Sequence, residues 1–373
     1  MDRQLSQENS GVGSALGVSP EWNGASGFSS SPSKESLTVT YLQAADLSQE
    51  LESDALHTLA IIDYGCRSAF SAIGKSLTLE VHLPPLTQPP FVEVWKSSAP
   101  VLCDRVQDIR LAFTDEFVFG CFEAVEHSGK ELDELSRVAY ERIFEYCTRS
   151  GFSHLLRMWN YFPAMNAEQD GLERYKRFCI GRHQAFAASY QKFASILPAA
   201  SAVGTQGGPF QVLFLAGKQP GQPLENPRQI SAYEYPAIYG PKSPSFARAT
   251  LHRTARGGQL FVAGTASIVG HATQHQGDPA KQTIETLTNI DAILNRGRHE
   301  GSELWDINCS EGLLKVFVRN QEEFGVVREV LEGHELGKGH IQYVLGEMCR
   351  KELLVEIEGI WNLASLPHEE IHN

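Results

Sequence analysis

The chain has 373 residues, 42% of them hydrophobic and 21% charged, with a formal net charge of −13. That length is enough for two packed cores, and with no run of about eighteen apolar residues no membrane-spanning helix is expected. The acidic balance and the lack of a basic block argue against a nucleic-acid partner, but a few arginines in a cleft can still bind a small anion.

Residues 1–36, rich in Ser and Gly, show no hydrophobic period and predict a mobile tail. The opening MDRQLSQENSGVG lacks the apolar stretch of a secretory signal, so a cytoplasmic location is expected. Gly11, Gly13 and Gly17 have no strand before them and no helix after, and do not read as a nucleotide loop.

In the first half the pattern predicts strands over Arg110–Phe113 and Glu116–Ala124 and a helix over Glu131–Arg149. A strand over His154–Phe162, a helix from about Gln169 into the 180s and a strand over Phe210–Ala216 follow. The second half runs the same course. Strands are predicted over Arg248–Arg253 and Gln259–Val269. A helix is then capped by Asp278, opened by Pro279 and continued to about Arg296. A strand over Gly312–Asn320 and a helix over Glu322–Leu331 come next. Two closing strands, HIQYVLGEMC and LLVEIEGI, are expected to form a hairpin around Arg350–Glu352.

Gly120 and Gly264 stand 91 and 90 residues before Gln211 and Leu354, near the starts of the two closing strands. The repeat predicts an α/β (α+β) fold of two tandem β-β-α-β-α-β units, each a mixed sheet with helices on one face. The expected division is a tail over 1–36, a unit over 37–224, a connector over 225–249 and a second unit over 250–373. The connector is Pro-rich and aromatic, and is a place to look for a binding wall.

The second unit resembles the reactive-intermediate deaminase (RidA) fold in SFARA, FVAGTASI, KVFVRN and LLVEIEG, and the first matches it more loosely through LLRMWNYFPAMN and ERYKRF. Two such units in one chain resemble the chorismatases. WNYFPAMN, RYKRFCIGR, ENPRQISAYEYPAIYGPKSPSFARAT, FVAGTASIVGHAT and CRKELLVEIEG stand in chorismatase order, and the resemblance runs from Leu37 to Trp361. It implies cofactor-free cleavage of chorismate to 3-hydroxybenzoate, with or without 4-hydroxybenzoate, plus pyruvate. A dihydrodiol-forming hydrolysis, an imine deaminase and a non-catalytic binding module are the alternatives. The simpler deaminases carry a carboxylate-binding arginine on the strand before the last; here the register puts Ile341 there, which disfavours their activity.

Alternation in LLVEIEG puts Leu354, Glu356 and Glu358 on one face. A carboxylate in an apolar strand either lies on a solvated sheet face or sits in a cleft where desolvation raises its pKa. By resemblance, Glu356 stands at the position of the family's catalytic acid, and Glu358 is left as the structural carboxylate. Cys349, seven residues earlier, is by itself a small apolar residue beside a turn. By resemblance it marks the hydroxybenzoate-forming class, because dihydrodiol-forming members carry a small inert side chain there. Hairpin pairing would set Cys349 opposite Leu353 and off the Glu356 face.

For the substrate's two carboxylates Arg182 and Arg248 are favoured, with Arg157 and Arg228 in reserve. Tyr175, Tyr235 and Tyr239 are candidates for hydroxyls and flat walls, and Gly264 and Thr265 for a backbone wall close to the ligand. Any one of these arginines and tyrosines reads equally well as a surface or core residue; their place in the motifs is what groups them. The cysteines (Cys66, Cys103, Cys121, Cys147, Cys179, Cys309, Cys349) form no CxxC and read as reduced thiols. His271, His275 and Asp278 are spaced too loosely for a metal triad, so neither metal nor cofactor is expected. A fused pair of units satisfies much of the interface through which simple deaminases trimerise, and a monomer is expected.

Overall fold

A computed structural model describes residues 35–65, 76–126, 131–255, 257–301 and 305–365. Most of the predicted tail, residues 1–34, and Cys66 lie outside them.

Four strands and a helix that were not among the predicted elements come first. Strands β1 (Leu37–Gln43), β2 (Thr58–Asp63), β3 (Leu77–Glu80) and β4 (Phe91–Ser97), with helix α1 (Leu47–Asp54) between β1 and β2, build a sheet in the order β1-β4-β2-β3. TLAIID is buried along its whole length. A strand covered on both faces loses the apolar–polar alternation by which strands are read.

The predicted repeat follows. Its first copy contains β5 (Leu102–Val106), β6 (Ile109–Phe113), β7 (Phe117–Ala124), α2 (Leu132–Ser150), β8 (His154–Pro163), α3 (Arg174–Ser189), β9 (Ala199–Thr205) and β10 (Phe210–Gly217). The second contains β11 (Gln222–Leu224), β12 (Ala249–Thr254), β13 (Gly257–Ala266), α4 (Pro279–Gly301), β14 (Leu313–Val318), α5 (Phe324–Glu332), β15 (His340–Leu345) and β16 (Val355–Ser365). The sheets run β9-β8-β10-β7-β6-β5 and β11-β12-β13-β16-β14-β15, so equivalent strands hold equivalent places. Asp278 caps α4 as expected, its carboxylate accepting from the Lys281 N–H at 3.0 Å.

Two expectations are corrected. The small-residue stretch AASAVGT forms β9, parallel to β8, and gives the first unit the same extra strand as the second. The closing strands do not form a hairpin: β14 lies between them, parallel to β15 and antiparallel to β16. The chain from Gly346 to Leu354 therefore crosses the end of β14. Arg319, just past that strand, holds it there by donating to the carbonyls of Leu353 (2.7 Å), Arg350 (2.8 Å) and Met348 (3.2 Å).

Each repeat buries one sheet face under its helices, Met158, Phe162, Val212 and Phe214 under α2 and α3, and Val262, Val316, Ile357 and Trp361 under α4 and α5. The helix-free faces contribute Trp159, Leu213, Phe261, Phe317 and Ile360 to one central core, which Leu59, Ile62 and Trp95 of the first sheet also enter. No described helix is long and apolar enough to cross a membrane.

Candidate active site

Glu356 and Glu358 share the helix-free face of β16 with Ile360, and at 5% and 4% exposure neither lies on a solvated face. Their surroundings separate them. Glu358 accepts from Arg157 (2.7 Å), Ser201 Oγ (2.5 Å), Trp159 Nε1 (3.0 Å) and Lys315 Nζ (3.1 Å). Burial would push its carboxyl up, but Lys315, Arg157 and the Ser201 hydroxyl outweigh it and hold Glu358 below the ordinary carboxylate range. For Glu356, burial first and the Glu358 charge second push the carboxyl up to about 8; Arg157, Arg248 and Arg319 offset only part of this. One carboxyl ionised and its neighbour protonated is the division of labour acid–base sites use.

Gly264 makes room for the protonated member. The β13–β16 pairing slips between Val262 and Thr265, leaving Gly264 in an irregular step. Its N–H donates to Ser201 Oγ at 2.9 Å, and a Cβ on it would stand 2.0 Å from Glu356 Oε1. Here glycine is required by the approach of another side chain.

Glu356 opens into a cavity of about 280 Å³. Eight of the nine residues nominated from sequence line it: Glu356, Cys349 and Gly264, the arginines Arg182 and Arg248, and the tyrosines Tyr175, Tyr235 and Tyr239. Thr265 does not; it is buried, and its hydroxyl donates to the Ala263 carbonyl at 2.9 Å. The reserves also point elsewhere, Arg157 to Glu358 and Arg228 to Glu285 at 2.7 Å.

The two arginines have unmet donors. Arg182 is 2% exposed, with Tyr140 and Phe178 rings 5.2 and 5.8 Å from its guanidinium carbon; its Nε and one Nη have no hydrogen-bond partner among the described residues. Arg248 donates to Tyr235 Oη at 2.8 Å and to the Ile230 carbonyl at 3.3 Å, and its Nε has no partner among the described residues. Buried guanidinium groups with free donors at a cavity wall suit an anionic ligand.

Cys349 and Glu356 share the cavity, since no hairpin register constrains the crossing chain. Burial, reinforced by Glu356, pushes the Cys349 thiol up to about 12, so it stays neutral. Sequence reasoning missed several wall residues. Arg350 lies 4.0 Å from the Tyr239 ring centroid and donates to the His271 carbonyl and Thr273 Oγ1, both at 3.0 Å. Ser201 arrives on the unpredicted β9, Cys179 adds a buried thiol, and Lys176, Lys242 and Lys351 add cations to the lining. Lys176 and Cys179 stand in RYKRFCIGR, Lys242 in the connector motif, and Arg350 and Lys351 in CRKELLVEIEG, so the motifs held a signal for them; Ser201 lies in none of the motifs. His271 pairs with Tyr239, His275 with Glu285 at 3.6 Å, and Asp278 with its own helix. Among the described residues no group of three or more His, Cys, Asp and Glu gathers as for a metal ion.

The repeat and the site thus define an acid-bearing, cation-lined pocket between two α+β units. Residues 93–216 match the family model described as chorismatase FkbO/Hyg5-like, N-terminal. The chain is 38% identical to a 3-hydroxybenzoate synthase from Streptomyces hygroscopicus, over 81% of this chain and 91% of that protein. It is 34% identical to a chorismatase from the same organism, over 84% and 91%. A crystal structure of a chorismatase superposes with a TM-score of 0.78 at 31% identity, covering 87% of this chain and 98% of the other. The chain belongs to the chorismatase family.

Proposed function

We propose that the protein cleaves chorismate to 3-hydroxybenzoate and pyruvate, with Glu356 as the proton donor. One observation carries the reading: a carboxyl held protonated to about pH 8 faces a cavity whose buried arginines have unmet donors. Arg182 and Arg248 would take the substrate's two carboxylates, and Tyr175, Tyr235 and Tyr239 would frame its ring. Proton transfer from Glu356 to the methylene carbon of the enolpyruvyl group leaves an oxocarbenium ion. If a ring oxygen captures it, loss of pyruvate and a ring proton gives a phenol, and no water is consumed. If water captures it, the products are a dihydrodiol and pyruvate.

Cys349 would decide between these outcomes. A neutral thiol on the wall fills space that a water would need beside the cation. Cys349→Ala is therefore expected to divert product toward the dihydrodiol, with total pyruvate release changed less than the product ratio. Chromatography of the ring products checks this, and an unchanged ratio would remove Cys349 from the assignment.

The labour would be divided as the sequence suggested. Residues 250–373 would supply the acid and its glycine, 37–224 the walls at Tyr175 and Arg182, and 225–249 the tyrosines that close the cavity. With the helix-free faces covering each other, we propose a monomer. The direct test is incubation with chorismate and assay of pyruvate; no pyruvate from folded protein would overturn the reading.

A further inference from the structure

Glu358 belongs to a buried row of charges that reaches the N-terminal sheet. Lys315 stands opposite Glu358 in the β14–β16 register. Its ammonium is 3.1 Å from Glu358 Oε1 and 2.7 Å from Oε2 of Glu93 on β4. Glu93 also accepts from Trp95 Nε1 at 2.7 Å and Tyr64 Oη at 2.9 Å. With Arg157 on the far side of Glu358, four charges alternate in sign at exposures of 1–6%. A buried ionic row is weak evidence of stabilisation, since well-packed apolar residues often serve equally well. Neither Glu93 nor Lys315 lines the cavity, yet the row passes through Glu358, two residues from Glu356.

We infer that Glu93 and Lys315 are positioning residues which, acting through Glu358, decide whether Glu356 keeps its proton. The N-terminal sheet then takes part in catalysis without touching substrate. This rests on reading Glu356 as the proton donor.

The sign follows from the groups around each member. Glu356 is faced by Glu358 on its own strand, Arg157 on β8, Arg248 at the head of β12, Arg319 past β14 and Cys349 in the crossing chain. Lys315 is faced by Glu93, Glu358, Tyr41 and Tyr161, and its ammonium lies over the Tyr64 ring. Removing the Glu93 charge leaves Lys315 under-compensated, and the surplus positive charge favours ionised Glu356. Removing the Lys315 charge leaves surplus negative charge and favours protonated Glu356. A packing defect has no reason to produce opposite signs.

The test compares pH profiles of kcat/KM for pyruvate release in wild type, Glu93→Gln, Glu93→Asp and Lys315→Met. Alongside, the Glu356 carboxyl is titrated in the substrate-free protein by isotope-edited infrared difference spectroscopy against Glu356→Gln. The basic limb should fall by about one pH unit in Glu93→Gln, rise by a similar amount in Lys315→Met and stay in place in Glu93→Asp. If Lys315→Met does not fold, the two Glu93 variants decide alone. Limbs and carboxyl titrations that stay put, or that move the same way in Glu93→Gln and Lys315→Met, overturn the inference. Carboxyl titrations that move as stated under unmoved rate profiles support the coupling and overturn the proton-donor reading instead.

Discussion

Glu356→Gln is expected to cut turnover of chorismate by about 10²–10⁴-fold, the range a positioned general acid supplies, while substrate binding is largely kept. The amide has the carboxyl's shape and removes only the transferable proton. Arg182 and Arg248, the proposed carboxylate anchors, stand on α3 and beside β12 rather than on β16. Single-turnover kinetics and isothermal titration with chorismate separate the two effects. Near-normal kcat in the variant would refute the acid role. In wild type, a donor that must be protonated gives a rate that is flat at lower pH and falls as pH rises through about 8. A rate rising through that range would indicate a base instead.

The second large effect is expected from one methyl group. In Gly264→Ala the new Cβ would meet Glu356 Oε1 at 2.0 Å, Cδ at 2.8 Å and Ser201 Oγ at 3.2 Å. Glu358, Ser201 and Arg157 are fixed in the ionic row, so Glu356 has to move. A displacement near 1 Å can cost about 10²-fold in rate, and crowding a packed interior costs about 1–3 kcal/mol. The expected result is a protein that still folds, melts at a lower temperature and loses about a hundredfold in kcat with a smaller change in KM. Kinetics beside a thermal melt check this; full activity would mean that Glu356 does not need the space under Gly264.

Local pattern and tertiary structure divided the information along physical lines. Strands such as RLAF and FVFGCFEA and the capped helix after Asp278 were legible because short apolar runs rich in Phe, Val and Leu, an amphipathic period and a helix cap are written in neighbouring residues. The repeat was legible for the same reason, applied twice. AASAVGT, too small in side chain to show a period, carries no such local mark. The pocket residues were nominated by motif, and the sequence alone fixed which residue types were available: an acid two residues from a second acid, a cysteine seven before it, arginines and tyrosines in runs. Only the tertiary structure decided that the closing strands are held apart by β14, so that Cys349 reaches the Glu356 cavity. It also decided that Arg157 and Lys315 converge on Glu358 and that Glu93, from a third sheet, pairs with Lys315. Solvation and charge pairing depend on groups brought together across as many as 265 residues of chain, from Glu93 to Glu358, and no short-range pattern encodes which of two adjacent carboxyls will keep its proton.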